Sequence, residues 1–311
     1  MSVSIGMIGL DTSHVKAFTS LLNDPSHEHH VPGGRVTVAY PGGSPDFKLS
    51  IDRVAGYTAE LRDTYGVRIV DRIEEVAEAA DVIFIESVDG RVHAQQFASV
   101  APFGKPVFID KPFTTSLADA KRIADLAQQH GVTLMSCSAL RFCDELQAAL
   151  AQGQDDIVGC DVYGPMAEEP TQPGLFWYGI HTVEMIVAAM GVGCTRVWAV
   201  RNDQHDLITM QWADGRVASL HGLRGGHSRF GMVLHRKAGP VHVNGSAGRP
   251  YYANLLRAAM ESLPHGRSAV PLEQTLHIVQ IIEAANAARQ SGEPQSISEI
   301  GLKSAKAASS A

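Results

Sequence analysis

Short unbroken apolar runs alternate with helix-forming stretches through the first half of this sequence. The runs are VSIGMI at 3–8, RVTVAY at 35–40, DVIFIE at 81–86, PVFI at 106–109 and TLMS at 133–136. Strands apolar on both sides belong in a parallel sheet covered by helices on each face. Between them, residues 15–22 carry apolar side chains at helical spacing, and residues 59–65 run helically to Gly66. The clearest helix spans 116–130, with Ser116 as cap, Asp119 in the first turn and Gly131 at the end. Parallel strands joined by helices cross over right-handedly, so the pattern predicts an α/β fold with a doubly wound sheet.

The rhythm changes after about residue 140. Strands are expected at 157–163, 196–200, 207–212, 216–220, 232–235 and 241–243, with an Asp214-Gly215 hairpin turn between the third and fourth. Helices are expected at 181–190, 251–263 and 272–289. The division is therefore a Rossmann domain over 1–137 and an α+β domain over 138–311, whose open sheet is mostly antiparallel. The helix at 272–289 is placed to pack back on the first domain. The tail 302–311, LKSAKAASSA, is low in complexity and is expected to fray.

A chain of 311 residues suits about two domains. Lys and Arg number 26 against 33 Asp and Glu, a net charge of −7, which argues against a nucleic-acid partner. No apolar stretch reaches the ~18–20 residues of a membrane span. The N-terminus shows no signal-peptide pattern, so a cytoplasmic protein is expected. Cys137, Cys143, Cys160 and Cys194 form no CxxC pair and read as reduced, buried thiols.

The first strand runs into Gly9-Leu10-Asp11-Thr12-Ser13-His14 and then a helix. That is where a Rossmann fold cradles a pyrophosphate with GxGxxG. Gly9 fits the first glycine, while Asp11 and His14 stand at the second and third. Asp11 either brings a like charge toward the phosphates or caps the helix. The second strand ends Tyr40-Pro41-Gly42-Gly43, without the carboxylate that usually holds the adenosine ribose.

From Gly104 the sequence reads GKPVFIDKPF, with Asp110-Lys111-Pro112 at the strand end. This resembles the GKHV…EKP motif of the Gfo/Idh/MocA oxidoreductases, named for glucose–fructose oxidoreductase, inositol dehydrogenase and a rhizopine-catabolism protein. His93 and the strand at 81–86 resemble the family's DxVxIxxP…H stretch. WYGIHTVE at 177–184 resembles its DxGxHxxD. The resemblance covers nearly the whole chain. It implies a dinucleotide-binding domain for NAD or NADP and a second domain whose sheet forms a homodimer or homotetramer. It also implies oxidation or reduction of a hydroxyl–carbonyl pair on a sugar-like or polyol substrate.

On these motifs the catalytic residues are Lys111 and His181, which also face the substrate together with Trp177. The cofactor residues are Gly9, Asp11, Thr12, Ser13, His14, His93, Asp110 and Lys111. A His or a lowered-pKa Lys can take a hydroxyl proton, while the cofactor carries the redox step. Trp177 stands where the family has an aspartate, and Glu184 replaces a second one. The competing reading is a cofactor-free relative that keeps the fold as a ligand-binding or interaction protein. No metal site is expected: the cluster 27–30 (HEHH) reads as a solvated loop. His221, His227, His235 and His242 are spread over second-domain strands. Arg224 and Arg229 could meet an anionic substrate, although exposed loop arginines are the default.

Overall fold

A computed structural model describes residues 2–298; the tail 302–311 lies outside them. The first domain alternates β1 (Val3–Ile8), α1 (Ser13–Asn23), β2 (Gly34–Tyr40), α2 (Lys48–Tyr65), β3 (Arg68–Ile69) and α3 (Ile73–Ala79). It continues with β4 (Val82–Ile85), α4 (His93–Val100), β5 (Val107–Ile109), α5 (Leu117–His130) and β6 (Leu134–Ser136). All strand pairs are parallel, in the order β3-β2-β1-β4-β5-β6. This is the doubly wound arrangement, with its switch point between β1 and β4.

Successive strand residues point to opposite faces, and both faces are dry. Ile8, Ile83, Ile85 and Ile109 join a core that runs on through Phe97 and Ile123. Ile5, Met7, Phe84 and Phe108 form the other face with Phe18 and Leu22 of α1. The helix at 59–65 is longer than its apolar spacing suggests. It starts at Lys48, and only Ser50 and Leu61 are buried along it, so it carries little apolar stripe.

The second half holds α6 (Asp144–Leu150), β7 (Ile157–Pro165), α7 (Gly179–Met190), β8 (Cys194–Arg201), β9 (His205–Trp212) and β10 (Val217–Leu223). Then follow β11 (Gly231–Arg236), β12 (Gly239–Asn244), α8 (Tyr251–Ser262), α9 (Leu272–Ser291) and β13 (Gln295–Ser296). Its sheet runs β12-β11-β7-β10-β9-β8-β13, antiparallel except for β7 with β10. The expected Asp214-Gly215 turn joins β9 to β10, with Gly215 at φ 89°.

One face of this sheet is buried under α7 and α9. On the other, Val200, Leu207, His221 and Tyr163 stand in register across four strands and are exposed. Two helices tie the halves together. α9 packs on α5 and β6 as well as on α7 and β8, as expected. α8 joins the first domain's core, where Leu255, Leu256 and Ala259 meet Ile5 and Phe18. By packing, residues 251–262 thus lie with the Rossmann layer. The four cysteines are buried and unpaired.

Candidate active site

The loops that leave β1, β4, β5 and β6 converge at the carboxyl edge of the first sheet, where open α/β sheets bind ligands. Gly9 turns at φ +89°, and a Cβ there would collide with Ser87 Oγ and meet the Ser87 backbone at 2.6 Å. The glycine is therefore required by the loop after β4. The Gly9 and Leu10 amides donate to the Tyr40 and Pro41 carbonyls, at 3.0 and 2.7 Å.

Asp11 neither caps α1 nor faces the cleft. Thr12 is the cap, its hydroxyl accepting from the His14 amide. Asp11 is fully buried. Its Oδ2 accepts from Ser50 Oγ at 2.6 Å and its Oδ1 from the Val88 amide at 2.8 Å. Burial pushes this carboxyl up, opposed by those two hydrogen bonds. The expected clash between Asp11 and a pyrophosphate therefore has no direct geometric basis.

Between the two domains lies a cleft of about 490 Å³. The first domain lines it with Thr12, Ser13 and His14 at the start of α1, Arg53 of α2, and Lys111 after β5. The second lines it with Trp177, His181 and Phe230, and α8 adds Tyr251 and Tyr252. Lys111, Trp177 and His181 thus share one cleft. The Lys111 ammonium lies 5.3 Å from the centre of the Trp177 ring, a cation–π contact. Burial lowers the Lys111 ammonium, opposed by the carboxylates of Asp110 and Glu86.

His181 sits in the first turn of α7, between the rings of Tyr178 and Phe230 at 5.7 and 5.5 Å. Its Nδ1 meets Ser138 Oγ at 2.7 Å. The Ser138 amide donates to Glu184 Oε2 at 3.1 Å, and Glu184 is paired with Arg141. Glu184 thus fixes the Ser138 backbone beside His181. Burial, then the charges of Lys111 and His14, hold the imidazole well below 6.5.

Under the cleft floor lies a charged cluster. His14 Nδ1 is 2.6 Å from Asp110 Oδ2, and the His14 ring stacks on Phe18 at 5.4 Å and meets Tyr252 edge-on at 4.9 Å. Asp110 Oδ1 accepts the Lys111 amide at 2.8 Å. Burial opposes the Asp110 charge, but His14 and Lys111 outweigh it and hold the carboxyl low. Glu86, at the end of β4, is fully buried, and neither carboxylate oxygen has a partner. Burial, then Asp110 and Asp11, push its carboxyl well above the usual range.

Several expected residues lie elsewhere. His93 does not line the cleft: it is fully buried, its ring nitrogens 2.7 Å from the Ser87 carbonyl and 3.2 Å from that of Phe113. It fastens the loop after β4. Gly9 and Asp110 are likewise behind the cleft wall, where they shape it. Arg224 is consumed by Asp206 and by the carbonyls of Asp203 and His205, so it is a staple between strands. Arg229 is exposed and His227 packs on Tyr163. The 27–30 segment is a surface loop in which His30 Nδ1 lies 3.0 Å from the Leu21 carbonyl.

Ser138, Arg53, Tyr251, Tyr252 and Glu86 escaped the sequence reading. For Ser138 and Glu86 a signal existed: each falls just past the carboxyl end of a parallel strand, as Gly9 and Asp110 do.

Residues 4–137 match the family model described as "Oxidoreductase family, NAD-binding Rossmann fold", that of Gfo/Idh/MocA. The likeness to that family is thus shown for the first domain. The uncharacterized oxidoreductase YhhX of Escherichia coli is 29% identical over 140 residues, 40% of either chain. An inositol 2-dehydrogenase of Cereibacter sphaeroides is 26% identical over 180 residues, 57% of this chain and 48% of that one. The chain thus matches less than half the length of these relatives. Both domains share the fold of a myo-inositol dehydrogenase from Lactobacillus casei solved with NAD(H) and myo-inositol. The TM-score is 0.75 and the identity 14%, covering 98% of this chain and 99% of that one.

Proposed function

We propose that the protein is an NAD(P)-dependent oxidoreductase acting on a hydroxyl or carbonyl of a small polyhydroxy compound, of sugar or polyol type. The observation that carries this reading is the shared cleft, with Lys111 and His181 at one part and the start of α1 at another. The NAD-binding family of the first domain supports it, as do inositol dehydrogenases among the relatives.

The residues present fit a dinucleotide. Asp11 is turned inward, leaving Thr12, Ser13 and the Arg53 guanidinium as the groups that would hold its phosphates. A bound nicotinamide would supply the hydride acceptor or donor for the carbinol carbon. The proton of the hydroxyl then falls to His181. With Nδ1–H donated to Ser138 Oγ, Nε2 carries the lone pair a base needs. Lys111 directs the substrate oxygen, and Trp177 offers an apolar wall to the C–H face of a polyol ring. His93 and Asp110 hold the walls of this site.

The exposed face of the second sheet, with its row Val200–Leu207–His221–Tyr163, supports a homodimer or homotetramer. Among the described residues no helix is long and apolar enough to cross a membrane, which accords with action in the cytoplasm.

A cofactor-free binding protein is the second reading, favoured by the His14 ring where the fingerprint has its third glycine. The test is reduction of NAD+ and NADP+ over a panel of inositols and sugar alcohols, with wild type and Lys111→Met. Turnover that Lys111→Met abolishes supports the redox reading. Absence of turnover, with no binding of NADH or NADPH, refutes it.

A further inference from the structure

We propose that His14, Glu86 and Asp110 form a buried binding site for one divalent transition-metal ion. The three donors come from the ends of different elements: the start of α1 and the ends of β4 and β5. Their ligand atoms all lie within 4.8 Å of one another, and all three residues are buried. Ligands on one small ion, at bonds of ~2.0–2.2 Å, sit about 3–4 Å apart. A slight closure of the Glu86 side chain therefore completes the set.

The second observation is Glu86 itself. It is fully buried, lies against the His14–Asp110 pair, and neither of its oxygens has a hydrogen-bond partner. Buried polar groups are normally satisfied, and one that is not calls for a ligand.

The donor set names the class of ion. One imidazole nitrogen with two carboxylate oxygens suits Zn²⁺, Mn²⁺ or Fe²⁺ better than Ca²⁺ or Mg²⁺, which prefer oxygen alone. Three protein ligands also leave a coordination position open. His14 lines the cleft, so the ion has an entry path. The surface histidines at 27, 29 and 30 lack this enclosure and belong to a different part of the chain.

The experiment uses the full chain, stripped with a chelator and free of nicotinamide cofactor, so its outcome is independent of the redox reading. Equilibrium dialysis against Zn²⁺ and, separately, Mn²⁺ measures stoichiometry, and Co²⁺ reports ligation through its visible absorption. One ion per chain is expected, with a Co²⁺ visible band. Glu86→Gln should weaken binding more than about 100-fold, since losing even an outer partner of a ligand costs about 10–100-fold. His14→Ala should do the same and remove the Co²⁺ band. A variant with His27, His29 and His30 replaced by Ala should bind as wild type does. No stoichiometric binding at millimolar free ion overturns the proposal. So does unchanged affinity in folded Glu86→Gln or His14→Ala, or loss of binding in the loop variant alone.

Discussion

Replacing Asp11 by Gly restores the family's second glycine and should nonetheless damage the protein. The carboxylate is fully buried and accepts from Ser50 Oγ at 2.6 Å and the Val88 amide at 2.8 Å. Hydrogen bonds to a charged group are worth about 1.5–3 kcal/mol each, so the pair contributes about 3–6 kcal/mol. No non-glycine residue has positive φ among the described residues. Gly at position 11 therefore relieves no strain and adds an unfolded-state entropy penalty of about 0.4–1 kcal/mol. A melting-temperature drop of roughly 7–28 °C follows at ~2–4 °C per kcal/mol. Because the carboxylate faces away from the cleft, affinity for NADH in the folded variant should change less than about 3-fold, ~0.7 kcal/mol. Asp11→Asn keeps an acceptor for Val88 and should lose only about 1 kcal/mol. The assay is a thermal scan beside a nicotinamide-fluorescence titration. An unchanged melting temperature with tenfold tighter NADH binding would show the carboxylate facing the phosphates, and the reasoning would fail.

Lys111→Met should lower turnover on a discovered substrate by about 10²–10⁴-fold while leaving the thermal midpoint nearly unchanged. The acid limb of the pH–rate profile should lie below pH 6.5 in wild type, because burial and the charges of Lys111 and His14 keep His181 neutral to lower pH. In Lys111→Met the residual activity should show that limb moved up; an unmoved limb detaches His181 from the proton transfer. Trp177→Asp should stay folded, since the ring is only half-buried against Lys111, and should change ligand preference. Loss of several kcal/mol there would make Trp177 a core residue. Asp89 tests the frame. Burial raises its carboxyl, but hydrogen bonds from Arg91, Ser44 and Gln172 outweigh this and bring it to about 2, from 3.8. Its folded value is depressed, so about 2 kcal/mol of stability should be present above pH ~4 and lost as pH falls toward 2. Asp89→Asn should flatten that slope, as read by urea melts at each pH.

The sheet of the first domain is legible because every strand is buried on both faces and reads as an apolar run. The short α3 and α4 and the two-residue β3 carry too few residues for a period to show. α2 is half-exposed and leaves no apolar stripe. The packing of α8 on α1 is hidden because spacing tells which face of a helix is buried but not against what. Lys111 and His181 are legible from motifs. Ser138, Glu86 and Arg53 are not, because their roles come from juxtapositions across the fold. Ser138 and His181 are 43 positions apart and meet at 2.7 Å. Asp11 misled because residue type and position suggest a charge in the cleft, whereas the side chain turns toward Ser50, which no local pattern reveals.

The proposed activity requires a nicotinamide dinucleotide to enter the cleft that Lys111, Trp177 and His181 share. The most direct measurement is energy transfer from tryptophan to NADH or NADPH during a titration. The chain has three tryptophans, and Trp177 alone among them lines the cleft. Saturable sensitised nicotinamide emission at one site per chain is expected, with Trp177→Phe removing most of the emission while binding persists. Absence of saturable binding of either dinucleotide at millimolar concentration, or transfer unaffected by Trp177→Phe, would contradict it.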